Sequence, residues 1–130
     1  MVAFNFSVFV DKVEAREKRM TIRKKQRAKK GDSIQLYTGM RTKDCRKLVE
    51  EDAVCLGSCP VEISENIIQC YTNLFGIEQW IHQREEDFAK MDGFETFEDM
   101  KSFFKQHYGL PFTGYMHQWH WPEPPTPSSI

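Results

Sequence analysis

Two strand-like runs joined by a short basic loop constrain the fold of this chain more than any other feature. Residues 21 to 23 begin an extended run, and Ile34 to Thr38 alternates apolar with polar residues, which is typical of a half-buried strand. Between the two runs, Gly31 and Asp32 form a turn signal. The pattern predicts a sheet whose edge and loop carry a concentration of positive charge.

The charge distribution is strongly uneven along the chain. Fourteen of the 18 Lys and Arg residues lie between Lys12 and Lys47, with only four acids among them, so this segment carries a formal charge of about +10. The remainder carries about −11, which gives the net charge of −1. Five cations occupy the seven residues from Lys24 to Lys30. Cations this close favour a polyanionic partner that neutralises them, although a solvated loop without a ligand is the alternative.

Length and composition indicate one soluble domain. The chain has 130 residues and 40% hydrophobic residues, and it contains no apolar run near the ~20 residues that a membrane helix needs. The start lacks a basic leader and a small-residue cleavage site, so we expect a cytoplasmic protein that does not contact membranes. We predict a domain over residues 1–121 and a disordered Pro/Ser-rich tail over 122–130. The four cysteines are expected to be free, buried thiols.

The remaining patterns predict an α+β fold. Apolar residues at Ile77, Trp80, Ile81 and Phe88 recur at helical spacing and predict a helix there. A second helix is predicted from Thr96 by its capping pattern. The other predicted elements are strands over Val2 to Phe6, Ala53 to Ile63 with a bend at Gly57, Ile67 to Tyr71 and Tyr115 to Trp121, and a short helix over residues 11 to 18.

Several of these motifs together resemble the ASCH domain family, whose fold is related to PUA RNA-binding domains. Lys18 lies three residues before Thr21-Ile22-Arg23, a basic linker follows, and Gly-Asp opens the next strand. The string from Gly31 to Arg46 is similar to a bacterial and phage branch of the family. Looser similarity extends over residues 4 to 121 and includes Asp92-Gly93-Phe94, Met100 to Phe104 and Phe112-Thr113-Gly114. The resemblance implies a small, curved, PUA-like antiparallel β-barrel flanked by helices, with a cleft between them.

The same resemblance implies a candidate catalytic site. Some small ASCH proteins are similar to acetylcytidine amidohydrolases, in which a Lys, a Thr and an acidic residue cleave an amide. Carried over to this chain, Lys18 is the base or polariser, Thr21 is the nucleophile and Asp92 is the acid, with Glu95 as the next choice. A ribonuclease activity is a further alternative.

The basic segment supplies candidate nucleic-acid contacts. Trp121, beside the Pro-rich tail, is the candidate for stacking on an unpaired base, whereas Tyr115 and Trp119 are interpreted as core residues. The predicted partner is RNA or another single-stranded nucleic acid, or a modified nucleoside. The candidate binding residues are Lys18, Arg23, Lys24, Lys25, Arg27, Lys29, Lys30, Arg41 and Trp121.

We expect neither a metal nor a cofactor. His117 and His120 fall on opposite faces of a strand, and Cys55 and Cys59 do not have the spacing of a zinc knuckle. The sequence favours a nucleic-acid or nucleotide-binding module that uses a basic cleft. A small hydrolase is the second hypothesis and a protein-interaction module the third.

Overall fold

The computed structural model describes residues 1–122, apart from the side chain of Leu74. The predicted tail therefore lies, except for Pro122, outside the described residues. The elements are β1 (Val2–Asn5), α1 (Val10–Glu14), β2 (Met20–Arg23), β3 (Ser33–Thr38), β4 (Arg46–Lys47), β5 (Ala53–Ile63), β6 (Ile68–Leu74), β7 (Ile77–Gln83), α2 (Glu85–Met91), α3 (Phe97–His107) and β8 (Phe112–His120). No helix of the described chain is long and apolar enough to cross a membrane.

Strand β5 is the centre of the sheet. One edge of β5 pairs with β8 along its length, and β8 pairs in turn with β2. The other edge pairs with β3 at its start and with β6 at its end, so the sheet divides into two arms, one ending in β1 and one in β7. The two predicted strands that flank the basic loop, β2 and β3, therefore lie in different parts of the sheet.

The α+β prediction is confirmed, but the predicted antiparallel barrel is not. The sheet is mixed, because β1 runs parallel to β3, and the described strands do not close into a barrel. Arginine side chains link β1 to the β2 region in place of a backbone ladder. Arg23 Nη2 donates to the carbonyl oxygen of Asn5 and Arg27 Nη2 to that of Ala3, each over 2.9 Å. These contacts hold β1 beside β2 without satisfying the backbone amides of either strand.

Helix α3 closes one face of the sheet. Thr96 caps it as predicted, because its side chain accepts a hydrogen bond from the Asp99 amide over 3.1 Å. Phe97, Met100 and Phe104 are buried against the strands, and Phe103 is partly buried beside them. This packing places the C-terminal half of α3 next to β2.

A second cluster fills the other side of the sheet. It contains Phe4 and Trp119, whose rings are stacked with centroids 6.2 Å apart. The core assignment of Trp119 is confirmed, whereas Tyr115 is half-buried. The bend predicted at Gly57 is confirmed as a register shift between β5 and β8. All four cysteines are free, as expected, but only Cys55 and Cys70 are buried, since Cys45 is exposed and Cys59 is partly exposed.

The helix predicted from Ile77 to Phe88 is wrong over most of its length. Residues 77–83 form β7, which pairs with β6 in a long hairpin, and α2 begins only at Glu85. The hairpin turn has positive φ at Phe75 (54°) and Gly76 (80°), as a type I′ turn requires. The Asn73 side chain also accepts a hydrogen bond from the Gly76 amide over 3.0 Å. This turn chemistry outweighs the helical spacing of the apolar residues.

Candidate active site

A cleft of about 160 Å³ lies between the sheet and α3. Its walls come from the segment between β1 and α1, from β2, from the loop after α2 and from the end of α3. The aromatic side chains that line it are Phe6, Phe9, Phe94, Phe103, Phe104 and Tyr108. Its polar lining includes Lys18, Thr21, Arg23 and Asp92. The three residues predicted to be catalytic therefore line one cavity.

Lys18 and Asp92 form a buried ion pair in the cleft. Lys18 Nζ lies 2.5 Å from Asp92 Oδ1, and Lys18 also donates to the main-chain oxygen of Asp92. Only 4% of Lys18 and 5% of Asp92 are exposed. Because an uncompensated buried charge is costly, each residue depends on the other to remain in place.

The environment moves the pKa values of this pair toward each other. Burial lowers the pKa of Lys18, while the Asp92 charge and hydrogen bond act in the opposite direction. Burial likewise raises the pKa of Asp92 against the effect of Lys18. Transfer of a proton from the Lys18 ammonium to the Asp92 carboxylate is therefore less unfavourable in the buried cleft than it would be in water. A neutral Lys18 amine has the lone pair that a general base needs.

Arg23 contacts the Thr21 hydroxyl from within the same strand. Its Nε donates to Thr21 Oγ1 over 3.3 Å, and its guanidinium group also lies near the rings of Phe4 and Phe6. Burial lowers the pKa of Arg23, but a guanidinium group stays protonated in proteins. The contact places a positive charge beside the Thr21 oxygen and leaves the hydroxyl proton free to point elsewhere.

The Asp92 loop depends on the glycine that follows it. Gly93 has φ +110°, and a Cβ there would lie 2.9 Å from Cγ of Phe9. The Phe9 ring packs edge-on against Phe94, with centroids 4.8 Å apart. Lys12 Nζ donates to the Gly93 carbonyl oxygen over 2.6 Å. Because Gly93 has no side chain, the Phe9 ring can pack directly against the backbone next to Asp92.

The candidate nucleic-acid contacts divide into two groups. Lys24, Lys25, Lys29, Lys30 and Arg41 are exposed. The other four have protein partners. Lys18 pairs with Asp92, Arg23 and Arg27 bond to the β1 carbonyls, and Trp121 lies under the guanidinium groups of Arg16 and Arg19 while donating to the Glu51 carbonyl oxygen. The Trp121 stacking surface is therefore occupied by arginines.

Sequence reasoning did not identify the aromatic walls or His117. The aromatic residues lie in three separate segments, which are the stretch before α1, the loop after α2 and the end of α3, and no spacing rule relates these segments. His117 is buried in β8, and its Nε2 accepts a hydrogen bond from the Arg27 amide over 3.0 Å. It therefore acts as a neutral anchor for the basic loop. His117 lies opposite Thr21 in the pairing of β2 with β8, and a single sequence does not reveal which strands pair.

Acid is expected to destabilise the protein through His117. Burial, with the charges of Arg23 and Arg27, lowers the pKa of His117 to about 4. An unfolded histidine titrates near pH ~6.5. The unfolded chain therefore binds a proton that the native chain does not as the pH falls from about 6.5 toward 4, and the free energy of unfolding falls by about 3 kcal/mol over that range.

Urea unfolding at pH 7 and pH 4.5 measures this effect. His117→Gln removes the titrating group, so its stability should depend less on pH over this interval than that of the wild type. Because carboxylates titrate equally in both proteins, the difference between them isolates His117. Equal pH dependence in the two proteins would show that His117 is not held neutral.

The described residues contain no group of three or more His, Cys, Asp or Glu side chains placed to hold a metal ion. Comparisons with protein-family models, curated proteins and solved structures found no match. The ASCH resemblance therefore stays a prediction, and the functional argument depends on the geometry of the cleft.

Proposed function

We propose that the cleft binds the base of a small nucleoside and that Lys18, Thr21 and Asp92 hydrolyse an acyl amide on that base. One observation carries the proposal: Lys18 and Asp92 lie 74 residues apart in sequence, yet they form a buried pair beside Thr21 in an aromatic cleft. The family resemblance suggests acetylcytidine-like nucleosides as the substrate class.

The size and lining of the cleft support a single heterocycle as ligand. A volume of about 160 Å³ is below the ~300–1,000 Å³ of sites for drug-sized molecules. Aromatic walls suit a flat ring, since stacking contributes about 1–3 kcal/mol per base. The polar groups lie together on the β2 and Asp92 side, so a bound base would direct its exocyclic substituent toward them.

The proposed reaction begins with attack of Thr21 Oγ1 on the acyl carbonyl carbon. Lys18 first gives its ammonium proton to Asp92, and the resulting neutral amine accepts the hydroxyl proton while Asp92 holds it in position. In the free protein Lys18 donates to Asp92, so the transfer requires the amine to turn toward Thr21 when substrate binds. Arg23, 3.3 Å from Thr21 Oγ1, stabilises negative charge that develops on oxygen.

The second half of the reaction restores the enzyme. The amide C–N bond breaks, and Lys18 gives its proton to the departing exocyclic nitrogen of the base. Water then attacks the acyl-threonine ester while Lys18 accepts a proton from that water. Lys18 returns this proton to the threonine oxygen, which leaves as the hydroxyl, and the proton held by Asp92 moves back to Lys18. The products are the free nucleoside and a carboxylic acid.

Amide chemical shifts in a nitrogen-15-labelled sample test where a base binds. Titration with cytidine should perturb resonances of the cleft, including those of Thr21, Gly93 and Tyr108, and leave the loop at Lys29 unchanged. Gly93→Val serves as a variant in which the ring of Phe9 is displaced, and it should weaken the response. Shifts confined to the basic loop would contradict the assignment of the cleft as the nucleoside site.

Exposed lysines favour a second candidate function, which is binding to single-stranded nucleic acid. Lys24, Lys25, Lys29 and Lys30 make no ion pair within the described chain. Lys24 Nζ also lies 5.2 Å from the centroid of Phe112, which packs against the cleft residue Tyr108. A strand bound to these lysines would pass close to the cleft.

Replacing the four lysines with glutamine should weaken binding to single-stranded RNA and reduce its salt dependence. Each phosphate contact contributes about −0.7 to the slope of log affinity against log salt, so losing four should reduce the slope by about 3. Fluorescence anisotropy between 50 and 200 mM salt, about the range over which such contacts weaken, measures it. The matched control changes Arg84, Lys90, Lys101 and Lys105 to glutamine, which alters net charge equally. Equal losses in both variants would contradict a local site.

A further inference from the structure

The β6–β7 hairpin presents an unusual edge. All seven residues of β7 pair with β6, and within the described chain the opposite edge of β7 has no strand partner. Apolar side chains are exposed along it, with Phe75 94%, Ile77 63% and Trp80 43% exposed. None of the residues that line the cleft belongs to this hairpin. The edge is therefore separate from the proposed active site.

Strand β7 lacks the features that normally protect a free edge. Proteins block such edges with lysines, prolines, bulges or short strands. The β7 sequence, Ile-Glu-Gln-Trp-Ile-His-Gln, contains no Lys, Arg or Pro, and its register with β6 is continuous. Its backbone groups are therefore available to form another ladder.

We propose that β7 pairs antiparallel with β7 of a second copy of this chain, about a two-fold axis at Trp80. Trp80 is the middle residue of the strand, so this register alone pairs all seven residues. It sets Glu78 opposite His82 of the second copy, twice by symmetry. It also brings the two Trp80 rings together at the centre.

The side chains on this face complement one another. Residues 78, 80 and 82 alternate along the strand and so share one face. Trp80 packs edge-on against Tyr71 with centroids 5.4 Å apart, which gives the paired rings a fixed support. Glu78 makes no ion pair within the described chain, whereas His82 already contacts Glu85 over 2.7 Å. In the dimer each histidine would lie between two carboxylates, and no like charges would oppose each other across the axis.

A charge exchange across the axis tests this interface. Glu78→Lys places a cation opposite His82, and His82→Glu places two carboxylates opposite each other. Each change should raise the dimer dissociation constant about tenfold, because two symmetric contacts become unfavourable. The double variant should restore the wild-type constant, since opposite charges face each other again. Asp87→Lys changes an exposed residue of α2, repeats the charge change of Glu78→Lys and should leave the constant unchanged.

Sedimentation equilibrium over a range of protein concentrations measures these constants, and circular dichroism checks that each variant is folded. A wild-type protein that stays monomeric throughout would overturn the proposal. So would a dimer that neither single variant weakens, or a double variant weaker than both. The residues proposed to carry out hydrolysis lie outside this interface. The result of this experiment therefore does not depend on whether the protein hydrolyses an amide.

Discussion

Replacing Lys18 with methionine is expected to lower the free energy of unfolding by about 3–5 kcal/mol, because it leaves the Asp92 carboxylate buried without its partner. Lys18 is 4% exposed and its amine lies 2.5 Å from Asp92 Oδ1. The same change should abolish hydrolysis, since it removes the proposed base. Urea unfolding at pH 7 and a turnover assay on the folded variant measure the two effects.

Two comparisons make this expectation specific to a buried pair. Lys18→Met combined with Asp92→Leu removes both charges, so it should recover most of the lost stability while remaining inactive. Arg46→Met breaks the ion pair between Arg46 and Glu14, and both of these side chains are about half exposed. This change should therefore lower the free energy of unfolding by at most about 1 kcal/mol. A Lys18→Met protein as stable as the wild type would contradict the ion-pair geometry.

Thr21→Val should reduce kcat/KM by about a thousandfold or more, because it removes the proposed nucleophile while keeping a similar side-chain volume. The loss of one hydrogen bond from Arg23 should cost only about 1 kcal/mol of stability. Thr21→Ser keeps a hydroxyl at the same position and should retain measurable turnover. Steady-state kinetics on the three proteins, with melting temperatures as a check, provide the comparison.

The kinetics also separate two roles for this residue. If Thr21→Val retains full activity, then water attacks the acyl group directly and Thr21 does no more than shape the cleft. If both Thr21→Val and Thr21→Ser are inactive but folded, the methyl group and the hydroxyl are needed together. Nucleophilic attack by Thr21 requires that Thr21→Val loses activity while Thr21→Ser retains it.

Local signals in the sequence predicted those parts of the fold that depend on short-range chemistry. The Thr96 cap and the shift at Gly57 each follow from a few adjacent residues. Lys18, Thr21 and Asp92 were predicted together through the family resemblance, and they line one cleft. Their spacing alone could not have brought Asp92 to Lys18, because the contact requires α2 to pack on the sheet.

Long-range pairing explains what the sequence did not predict. The parallel pairing of β1 with β3 joins residues separated by a helix and a strand, and no local pattern specifies it. Arg23 and Arg27 were predicted to contact nucleic acid from their charge, and no local pattern predicted that their guanidinium groups also bond to the carbonyls of β1. Trp80 and Ile81 occupy helical spacing by coincidence, because the turn at Gly76 decides the hairpin.

Whether the cleft hydrolyses an acylated base can be measured by incubating the purified protein in excess over acetylcytidine and following the products by chromatography. We expect the wild type to release cytidine and acetate in equal amounts and Thr21→Val to release none above background. No release by a folded wild-type protein, under conditions where an established amidohydrolase acts, would contradict it. Equal release by both proteins would retain the hydrolysis and reject Thr21 as its nucleophile.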